Sequence, residues 1–429
     1  MLRWNPLVWT TALLALTQVS GRVIPTISSS TSTPSIDSSA AALNSVVPGE
    51  LPRAAASSSI TPGNLPLAFV NNFAGGAINA YLTGQDDQGK VVFVKKDGTF
   101  FRPSTFGDVT EDVSIPLGAQ GSTTQLKTPG YIQSGRIWFA QGTLKFAMDG
   151  ANLVQPSPLN PKDASAGTNW GFVEFTYSAA SGVYANLSFV DFLGLILGIG
   201  LQNTDGSQQT AKGLQPDSVS AICGLLKTQG SKDGQPWGSL CANDGNGKPL
   251  RILSPGNYIS INKDAYSTYW KSYVDQVWQK YTSQPLKIVT QAAAGTVACK
   301  VQGDQLTCPG AARGYAKPNA MDIFGCNTGP FGKQAADNPV NLAVTSRLCA
   351  AFDRSTLLLD GGDTQPGSTA YYNVDPTNYY SKFVHQHEVD GRGYAFAYDD
   401  VTPTGGEDKS GVLTNPHPQL LTVYVGGAK

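Results

Sequence analysis

Short β-branched and aromatic runs, each bounded by Gly, Pro, Asn or Asp, are the feature of this chain that most limits its fold. Before residue 205 these runs are residues 67–70, 77–81, 91–94, 135–139 and 173–177. After residue 355 they are residues 356–359, 393–398 and 420–425. Short strands at this spacing are typical of a sandwich or barrel. The 47 Gly and 27 Pro residues supply many turns, so the sequence predicts a mainly β fold.

The middle of the chain has a helical pattern instead. Residues 217–226 and 264–281 carry apolar side chains at helical spacing, which predicts amphipathic helices. Asn338 and Pro339 open a third predicted helix, with proline in its first turn. The aromatic stripe of residues 264–281 favours a buried core face over a sugar-binding platform.

These two patterns predict the domain organisation. We expect a β-sandwich or barrel core formed by residues 62–205 and 355–429. Residues 206–354 are then an inserted region of helices and loops, with a cleft between this region and the core.

All six cysteines lie in the predicted insertion. They are Cys223, Cys241, Cys299, Cys308, Cys326 and Cys349. An even number in a secreted chain indicates three disulfides, for which fifteen pairings are possible, and pairing each cysteine with its nearest neighbour is the simplest. There is no Cys-x-x-Cys pair, and the three histidines lie after residue 384. We therefore expect no metal site.

The beginning of the chain has the layout of a signal peptide. Arg3 precedes an apolar run at residues 8–16, and small residues follow at Ser20 and Gly21. The run is shorter than the ~18 residues of a membrane span, so we expect a signal peptide at residues 1–20. Residues 21–61 are rich in Ser, Thr, Ala and Pro, which indicates a disordered linker or pro-segment.

These features give expectations for location and partners. We expect a secreted protein that is extracellular or associated with a cell wall, and monomeric. The net charge of −1 argues against nucleic acid or an anionic membrane as a partner.

Residues 170–194 are the segment most informative about chemistry. In its first predicted strand, Val173 and Phe175 alternate with Glu174 and Thr176, so one face is apolar and the other is polar. In the second predicted strand, Asp191 falls by parity on the apolar face. A carboxylate there needs partners or a bend in the chain, and such a breach of pattern is expected at functional sites.

Two neighbouring carboxyl groups are what hydrolysis of a glycosidic bond requires, because one donates a proton and the other activates water or attacks the sugar. A tight turn near residues 180 and 181 would place Glu174 opposite Leu187, with Asp191 roughly 13 Å further along. A bulge, bend or longer loop must shorten that distance for Glu174 and Asp191 to act together.

Several motifs resemble those of thaumatin-like proteins. They are Gly-Arg-Ile-Trp at 135–138, Val-Glu-Phe-Thr at 173–176, Ser-Phe-Val-Asp at 188–191 and Tyr-Ala-Phe-Ala-Tyr-Asp-Asp at 394–400. Leu-Pro-Leu at 65–67, with the Asn pair at 71–72, resembles the opening segment of glycoside hydrolase family 64. In this order, over residues 65 to 427, the chain is similar to glycoside hydrolase family 64, the thaumatin-like, laminaripentaose-producing β-1,3-glucanases.

The resemblance implies an inverting, endo-acting hydrolase that releases short oligosaccharides from β-1,3-glucan without a cofactor. Glu174 matches the general acid, which needs a raised pKa, and Asp191 matches the general base, which stays ionised. Inversion requires about 6.5–9.5 Å between the two carboxyl groups. Thr176, Arg136 and Asp399 are further candidates for substrate binding in the groove.

Two alternatives to an enzyme stay open. A thaumatin-like module that binds β-glucan without cutting it would have the same fold, because fold does not fix function. A structural protein of a wall or surface would explain the Ser/Thr-rich stretch. The chain also departs from thaumatin-like proteins at Asn186, where they usually carry Asp. Asn186 begins an N-glycosylation sequon, which we expect to be unoccupied.

Overall fold

The computed structural model describes residues 63–360, 366–406 and 408–428. The signal peptide and linker predicted at residues 1–20 and 21–61 lie outside the described residues. The described chain is mainly β, as predicted, and its strands form several sheets.

The strands are numbered in chain order. Strands β1 to β11 are Pro66–Asn71, Asn79–Gln85, Val91–Val94, Phe100–Phe101, Phe106–Asp108, Ile115–Pro116, Thr123–Lys127, Ile132–Gln141, Ala147–Asp149, Asn152–Val154 and Asn169–Ser178. Strands β12 to β22 are Gly182–Leu187, Phe192–Leu193, Leu197–Asn203, Gln208–Ala211, Cys241–Asn243, Pro249–Leu253, Leu286–Val289, Thr296–Gln302, Gln305–Thr307, Leu413–Asn415 and Pro418–Val425.

The helices of the described residues lie after residue 217. Helices α1 to α6 are Ser218–Asp233, Pro255–Ile261, Lys271–Ser283, Ala320–Gly325, Pro339–Asp353 and Tyr379–His387. Short 3-10 helices are Pro236–Leu240, Gly329–Phe331 and Ser368–Ala370.

Two large sheets organise the β part. The eight-stranded sheet has the order β21-β12-β11-β8-β2-β3-β4, with β6 also paired to β2. The five-stranded sheet has the order β15-β14-β22-β1-β7, in which β22 runs parallel to β1. The uncharged final strand is therefore paired on both sides and is not an open edge of the sheet.

The two large sheets share one hydrophobic core. Alternate residues of β8 and β11, such as Ile137 and Val173, are fully buried and face this core together with residues of the five-stranded sheet. The rings of Phe69 and Phe139 meet edge to face across the two sheets, with centroids 5.1 Å apart. Burying such side chains contributes roughly 1.5–3 kcal/mol each.

A second, mainly aromatic core covers part of the opposite face of the eight-stranded sheet. Trp138 and Phe172 lie on this face and pack with Phe146 and Trp170. A small sheet with the order β10-β9-β5 packs over this core through Leu153 on β10. This second core ends beside Glu174, whose side chain stays 23% exposed.

The predicted helices are formed with one exception. Helix α1 begins where predicted and runs further, and α5 begins after Asn338, whose side chain accepts a hydrogen bond from the Asn341 amide. Residues 264–270 are turns rather than helix, and only Lys271–Ser283 is helical. Tyr266 has a φ of 59°, which a right-handed helix does not allow.

The strands predicted at residues 356–359 and 393–398 are wrong. Both segments are turns and bends, and Tyr394 makes a single bridge to Ser188. Side chains bond to backbone groups that a sheet would otherwise pair. Tyr281 donates to the Leu357 carbonyl, Ser381 donates to the Ala395 carbonyl, and the Asp399 carboxylate accepts from the Ala395 amide. In the described residues, the chain rejoins a sheet only at β21.

The three disulfides join nearest neighbours, as the simplest pairing predicts. They are Cys223–Cys241, Cys299–Cys308 and Cys326–Cys349. Cys326 and Cys349 link α4 to α5 and are buried, at 2% and 0% exposure.

Replacing Cys326 and Cys349 by alanine is expected to lower the free energy of unfolding by about 3–5 kcal/mol, since loop entropy and core packing are both lost. Replacing Cys299 and Cys308, which close a loop of sequence separation 9 rather than 23, is the matched control and should cost about 2–3 kcal/mol. Urea unfolding measures both. An equal or smaller loss for the first pair would contradict the expectation.

Candidate active site

One row of side chains crosses four strands of the eight-stranded sheet. Thr83, Arg136, Glu174 and Asn186 lie directly opposite one another on β2, β8, β11 and β12. Residues opposite each other in antiparallel strands project from the same face. The hairpin register differs by one residue from the predicted one, because Glu174 faces Asn186 and not Leu187.

Arg136 is held from several sides. Its Nη2 lies 3.0 Å from Glu174 Oε1, and its Nη1 donates to Gln155 Oε1. The guanidinium also lies over the rings of Phe172 and Trp138, at 4.4 and 5.5 Å from their centroids. The aromatic core therefore fixes the cation that contacts Glu174, and cation–π contacts of this kind contribute about 0.5–2 kcal/mol.

The chain bends at Asp191, as the sequence analysis required. Strand β12 ends at Leu187, and the next strand, Phe192–Leu193, pairs with β17 in a different sheet. The Asp191 carbonyl accepts hydrogen bonds from the Ser254 amide at 3.0 Å and from Asn257 Nδ2 at 2.9 Å. Asn257 Nδ2 also lies 3.4 Å from Asp191 Oδ1, so helix α2 positions the aspartate.

Burial raises the pKa of Asp191 from 3.8 to about 6. The negative charge of Glu174 raises the pKa further, whereas Arg136 and the hydrogen bond from Asn257 lower it. Asp191 is thus ionised above about pH 6 and protonated below it. The expectation that Asp191 stays ionised therefore applies only above about pH 6. Arg136 and Glu174 are thus the two charged side chains that act on the pKa of Asp191.

A second group of polar side chains lies close to Glu174. The hydroxyls of Tyr184 and Tyr394 are 3.4 Å apart. Burial raises the pKa of Asp400 to about 6, and Asp408 raises it further. Glu174 and Asp400 both raise the pKa of Tyr184 above its ordinary value, although burial is the largest cause.

Two of the candidate substrate-binding residues are buried. Thr176 is 6% exposed, and its hydroxyl accepts a hydrogen bond from the Ser134 amide. Asp399 is 2% exposed and contacts Arg354 and His385 at 2.9 and 3.0 Å. The expectation that Asp399 lines a groove is therefore wrong, because its carboxylate is enclosed in a buried ion-pair network. Arg136, in contrast, lies beside Glu174.

The same network controls the charge of His385. Burial alone would lower the pKa of His385, but Asp399 and Glu388 outweigh burial and raise it to about 10. His385 and Arg354 in turn hold the pKa of Asp399 below its ordinary value despite burial. The network therefore carries charges of both signs.

The structure brings in residues that the sequence analysis missed. Gln155 contacts Arg136, and Asn257 contacts Asp191. Each pair joins separate segments of the chain, and no local pattern marks Gln155 or Asn257. Tyr184 and Asp400 had a signal, because Tyr184 shares its parity with Asn186 and Asp400 belongs to the Tyr-Asp-Asp motif.

One group of potential metal ligands occurs among the described residues. A grouping of potential metal ligands, Cys326, Cys349 and Asp353, contains two sulfurs that are joined in a disulfide, whereas the ligand form of cysteine is the thiolate. Within the described ranges, no helix combines the length and apolarity needed to cross a bilayer. Asn186 is 6% exposed, which disfavours a glycan there.

Comparison with known proteins identifies the family. The β-1,3-glucanase family, glycoside hydrolase family 64, matches residues 63–425. The chain belongs to glycoside hydrolase family 64. A glucan endo-1,3-β-glucosidase of Arthrobacter sp. (strain YCWD3) is 28% identical over 346 residues, which are 78% of this chain and 61% of that relative. The chain thus spans about three fifths of the length of this curated relative.

Solved structures of family 64 share the fold. A laminaripentaose-producing β-1,3-glucanase in complex with laminaritetraose is 26% identical, with a TM-score of 0.74 over 85% of this chain and 99% of that one. The β-1,3-glucanase domain from Clostridium beijerinckii has a TM-score of 0.67 at 21% identity, over 86% of this chain and 100% of that one.

Asp399→Asn is expected to lower the free energy of unfolding by roughly 3–5 kcal/mol, because the buried charge of Arg354 loses its carboxylate partner and His385 keeps only its contact with Glu388. Urea unfolding at pH 7 measures this loss. Asp87→Asn, at an exposed site, is the control and should change stability by less than about 0.5 kcal/mol. If Asp399→Asn kept the wild-type stability but bound a ligand more weakly, the result would instead support Asp399 as a binding residue of the groove.

Proposed function

We propose that this family 64 protein is an endo-β-1,3-glucanase that cleaves β-1,3-glucan into short oligosaccharides with inversion at the anomeric carbon. The observation that carries the proposal is the ion pair between Glu174 and one fixed cation, Arg136, together with a second carboxyl group, Asp191, whose pKa both of these charges shift. Paired carboxyl groups in different surroundings are the requirement of glycoside hydrolysis.

Glu174 is the proposed general acid. Its Oε1 accepts a hydrogen bond from Arg136, so Oε2 is the atom proposed to carry the proton to the leaving oxygen. The strand that bears Glu174 is paired on both sides, by β8 and β12. A carboxyl group on such a strand is held in place more firmly than one on a loop, and proton transfer needs that precision.

Asp191 is the proposed general base. Above about pH 6 its carboxylate is ionised and can take a proton from the attacking water. A base whose pKa lies close to the working pH combines the correct charge state with strong proton affinity. Inversion requires about 6.5–9.5 Å between the carboxyl groups of Glu174 and Asp191, so that the water fits.

A neutral β-1,3-glucan is the proposed substrate and partner. Two of the similar solved structures contain a bound sugar, laminaritetraose in one and laminarihexaose in the other. The acidic side chains around Glu174, including Asp191, Asp400 and Asp408, disfavour an anionic polymer. Arg136 is the proposed sugar contact among the predicted residues, and Thr176 acts by shaping the strand beneath the sugar.

The proposed architecture is thaumatin-like, with residues 206–354 as an insertion that forms one wall of the cleft. The hydrogen bonds from Ser254 and Asn257 to Asp191 support this, because both donors belong to the insertion. The three disulfides support secretion to the cell exterior or wall. We propose that the protein acts as a monomer without a cofactor.

Glu174→Gln and Asp191→Asn are each expected to lower kcat on laminarin by about 10²–10⁴-fold, because proton transfer is lost. An aryl laminarioside with a dinitrophenolate leaving group separates the roles. That group departs without protonation, so the Glu174 variant should recover most of its activity and the Asp191 variant should not.

The control for these variants is Asp87→Asn, which should behave as wild type. NMR of the first product should show the α-anomer. Release of the β-anomer would exclude inversion, and near-full activity of either variant would exclude its assigned role. Retention on glucan without release of sugar by the wild type would favour the non-catalytic binding module.

The acidic limb of kcat/KM should lie near pH 6 in the wild type, because the base must be ionised and burial raises the pKa of Asp191. Asn257→Ala removes a hydrogen bond that lowers this pKa, so the limb should move upward by about half a pH unit. A pH–rate profile with laminarin measures both. A wild-type limb near pH 4, or a limb that Asn257→Ala does not move, would show that ionisation of Asp191 does not set the acidic limb.

A further inference from the structure

The bend before Asp191 is contacted by a buried side chain that takes no part in the proposed proton transfers. Tyr380, the second residue of helix α6, is 0% exposed, and its hydroxyl donates a hydrogen bond to the carbonyl of Phe189. Phe189 lies between strands β12 and β13, just before Asp191. Helix α6 therefore contacts the backbone at the point where the chain leaves the eight-stranded sheet.

The hydroxyl of Tyr380 stays protonated at neutral pH. Burial raises its pKa well above the ordinary value, and the negative charge of Asp191 raises it further. The hydroxyl therefore keeps the proton that it donates to the Phe189 carbonyl. Phe189 is itself only 6% exposed, so water is poorly placed to replace this hydrogen bond if the hydroxyl is removed.

Helix α6 also holds the segment that runs beside the bend. The Phe189 amide donates to the Tyr394 carbonyl at 2.8 Å, and the Tyr394 amide donates to the Leu187 carbonyl at 3.1 Å. Ser381 Oγ, also on α6, donates to the Ala395 carbonyl at 3.3 Å. The bend is thus attached to α6 both directly and through this neighbouring segment.

Buried polar contacts fix both ends of α6. At its start, the capping residue Asn378 donates to Asp353 Oδ1 at 2.7 Å. At its end, His385 lies 3.0 Å from a carboxylate oxygen of Glu388 and 3.0 Å from one of Asp399. A helix restrained at both ends is a rigid support for the hydroxyl that it presents to the bend.

We propose that Tyr380 is a positioning residue for the general base, because its hydroxyl fixes the backbone before Asp191 and thereby the direction of the Asp191 carboxylate. This rests on the proposed function and assigns helix α6 a part in it. Ser254 and Asn257 hold the carbonyl of Asp191 itself, so the aspartate is restrained on two sides. A base must lie within hydrogen-bond reach of the attacking water, and a displacement of ~1 Å can lower the rate about 10²-fold.

Tyr380→Phe removes the hydroxyl and keeps the ring in the core. We expect it to lower kcat on laminarin roughly five- to fiftyfold and to change KM less than about twofold, because proton transfer is impaired and sugar binding is not. Tyr281→Phe is the matched control, since Tyr281 is also 0% exposed and its hydroxyl also donates to a backbone carbonyl, that of Leu357. It should keep the wild-type kcat. Urea unfolding of both variants checks that they are equally folded under the assay conditions.

A double-mutant cycle separates the positioning of Asp191 from a general loss of structure. The dinitrophenyl laminarioside is the substrate throughout. Adding Tyr380→Phe to Asp191→Asn should change the residual kcat by less than about twofold, because the group through which Tyr380 acts is already lost. Added to Glu174→Gln, it should still lower kcat roughly five- to fiftyfold, because the base is present. Equal losses in the Asp191→Asn and wild-type backgrounds would overturn the proposal.

Hydrogen exchange followed by NMR tests the contact without hydrolysis. The amides of Phe189 and Ser254 are both hydrogen-bonded at the bend, so their exchange reports its local opening. Tyr380→Phe should speed exchange at both amides several-fold, and Tyr281→Phe should not. Wild-type exchange at both amides in Tyr380→Phe would show that the hydroxyl does not fix the bend.

These measurements distinguish a failure of this proposal from a failure of the proposed function. If the wild type hydrolyses laminarin and Tyr380→Phe keeps the wild-type kcat, the function stands and the positioning role is wrong. If the wild type releases no sugar, the proposed hydrolysis is wrong and Tyr380 positions no catalytic base. Faster exchange in Tyr380→Phe would then show only that α6 fixes the bend.

Discussion

The pairing of β8 with β11 is the constraint on which the rest of the site depends. These two long strands place Arg136 directly opposite Glu174 and Ile137 opposite Val173. A slip of one residue would move every side chain of one strand to the other face. Glu174 would then enter the core that Val173 now fills. Burying its unpaired carboxylate would cost more free energy than the hydrogen bonds of the shifted strand pair could offset. The hydrophobic pattern of the core therefore also determines the position of the charge.

The two carboxyl groups depend on different parts of the molecule. Glu174 lies on a strand with a core on each side of its sheet, and Arg136 beside it is fixed by aromatic rings. Asp191 lies beyond a bend, and its backbone is held by Ser254 and Asn257. The spacing between the two groups is set where the sheet meets helix α2. Mutations that shift either element would change that spacing without touching a carboxyl group.

The sequence predicted features that local patterns encode. Alternation in residues 173–177 gave the two faces of β11, and Asn338 with Pro339 gave the start of α5. Local patterns could not predict contacts between residues that are distant in the sequence. Gln155 and Arg136 are 19 positions apart, and Asn257 and Asp191 are 66 positions apart. The strand predicted at residues 393–398 is wrong for the same reason, since Ser381 on helix α6 donates to the Ala395 carbonyl there.

The burial of Asp191 links the proposed chemistry to stability. Its folded pKa of about 6 lies above the ordinary value of 3.8, so the native state holds the proton more tightly than the unfolded chain does. The stability contributed by this group is complete below pH 3.8 and is lost as the pH rises to about 6. At neutral pH the protein therefore keeps an ionised carboxylate that its surroundings disfavour. The same surroundings give that carboxylate the proton affinity a base needs.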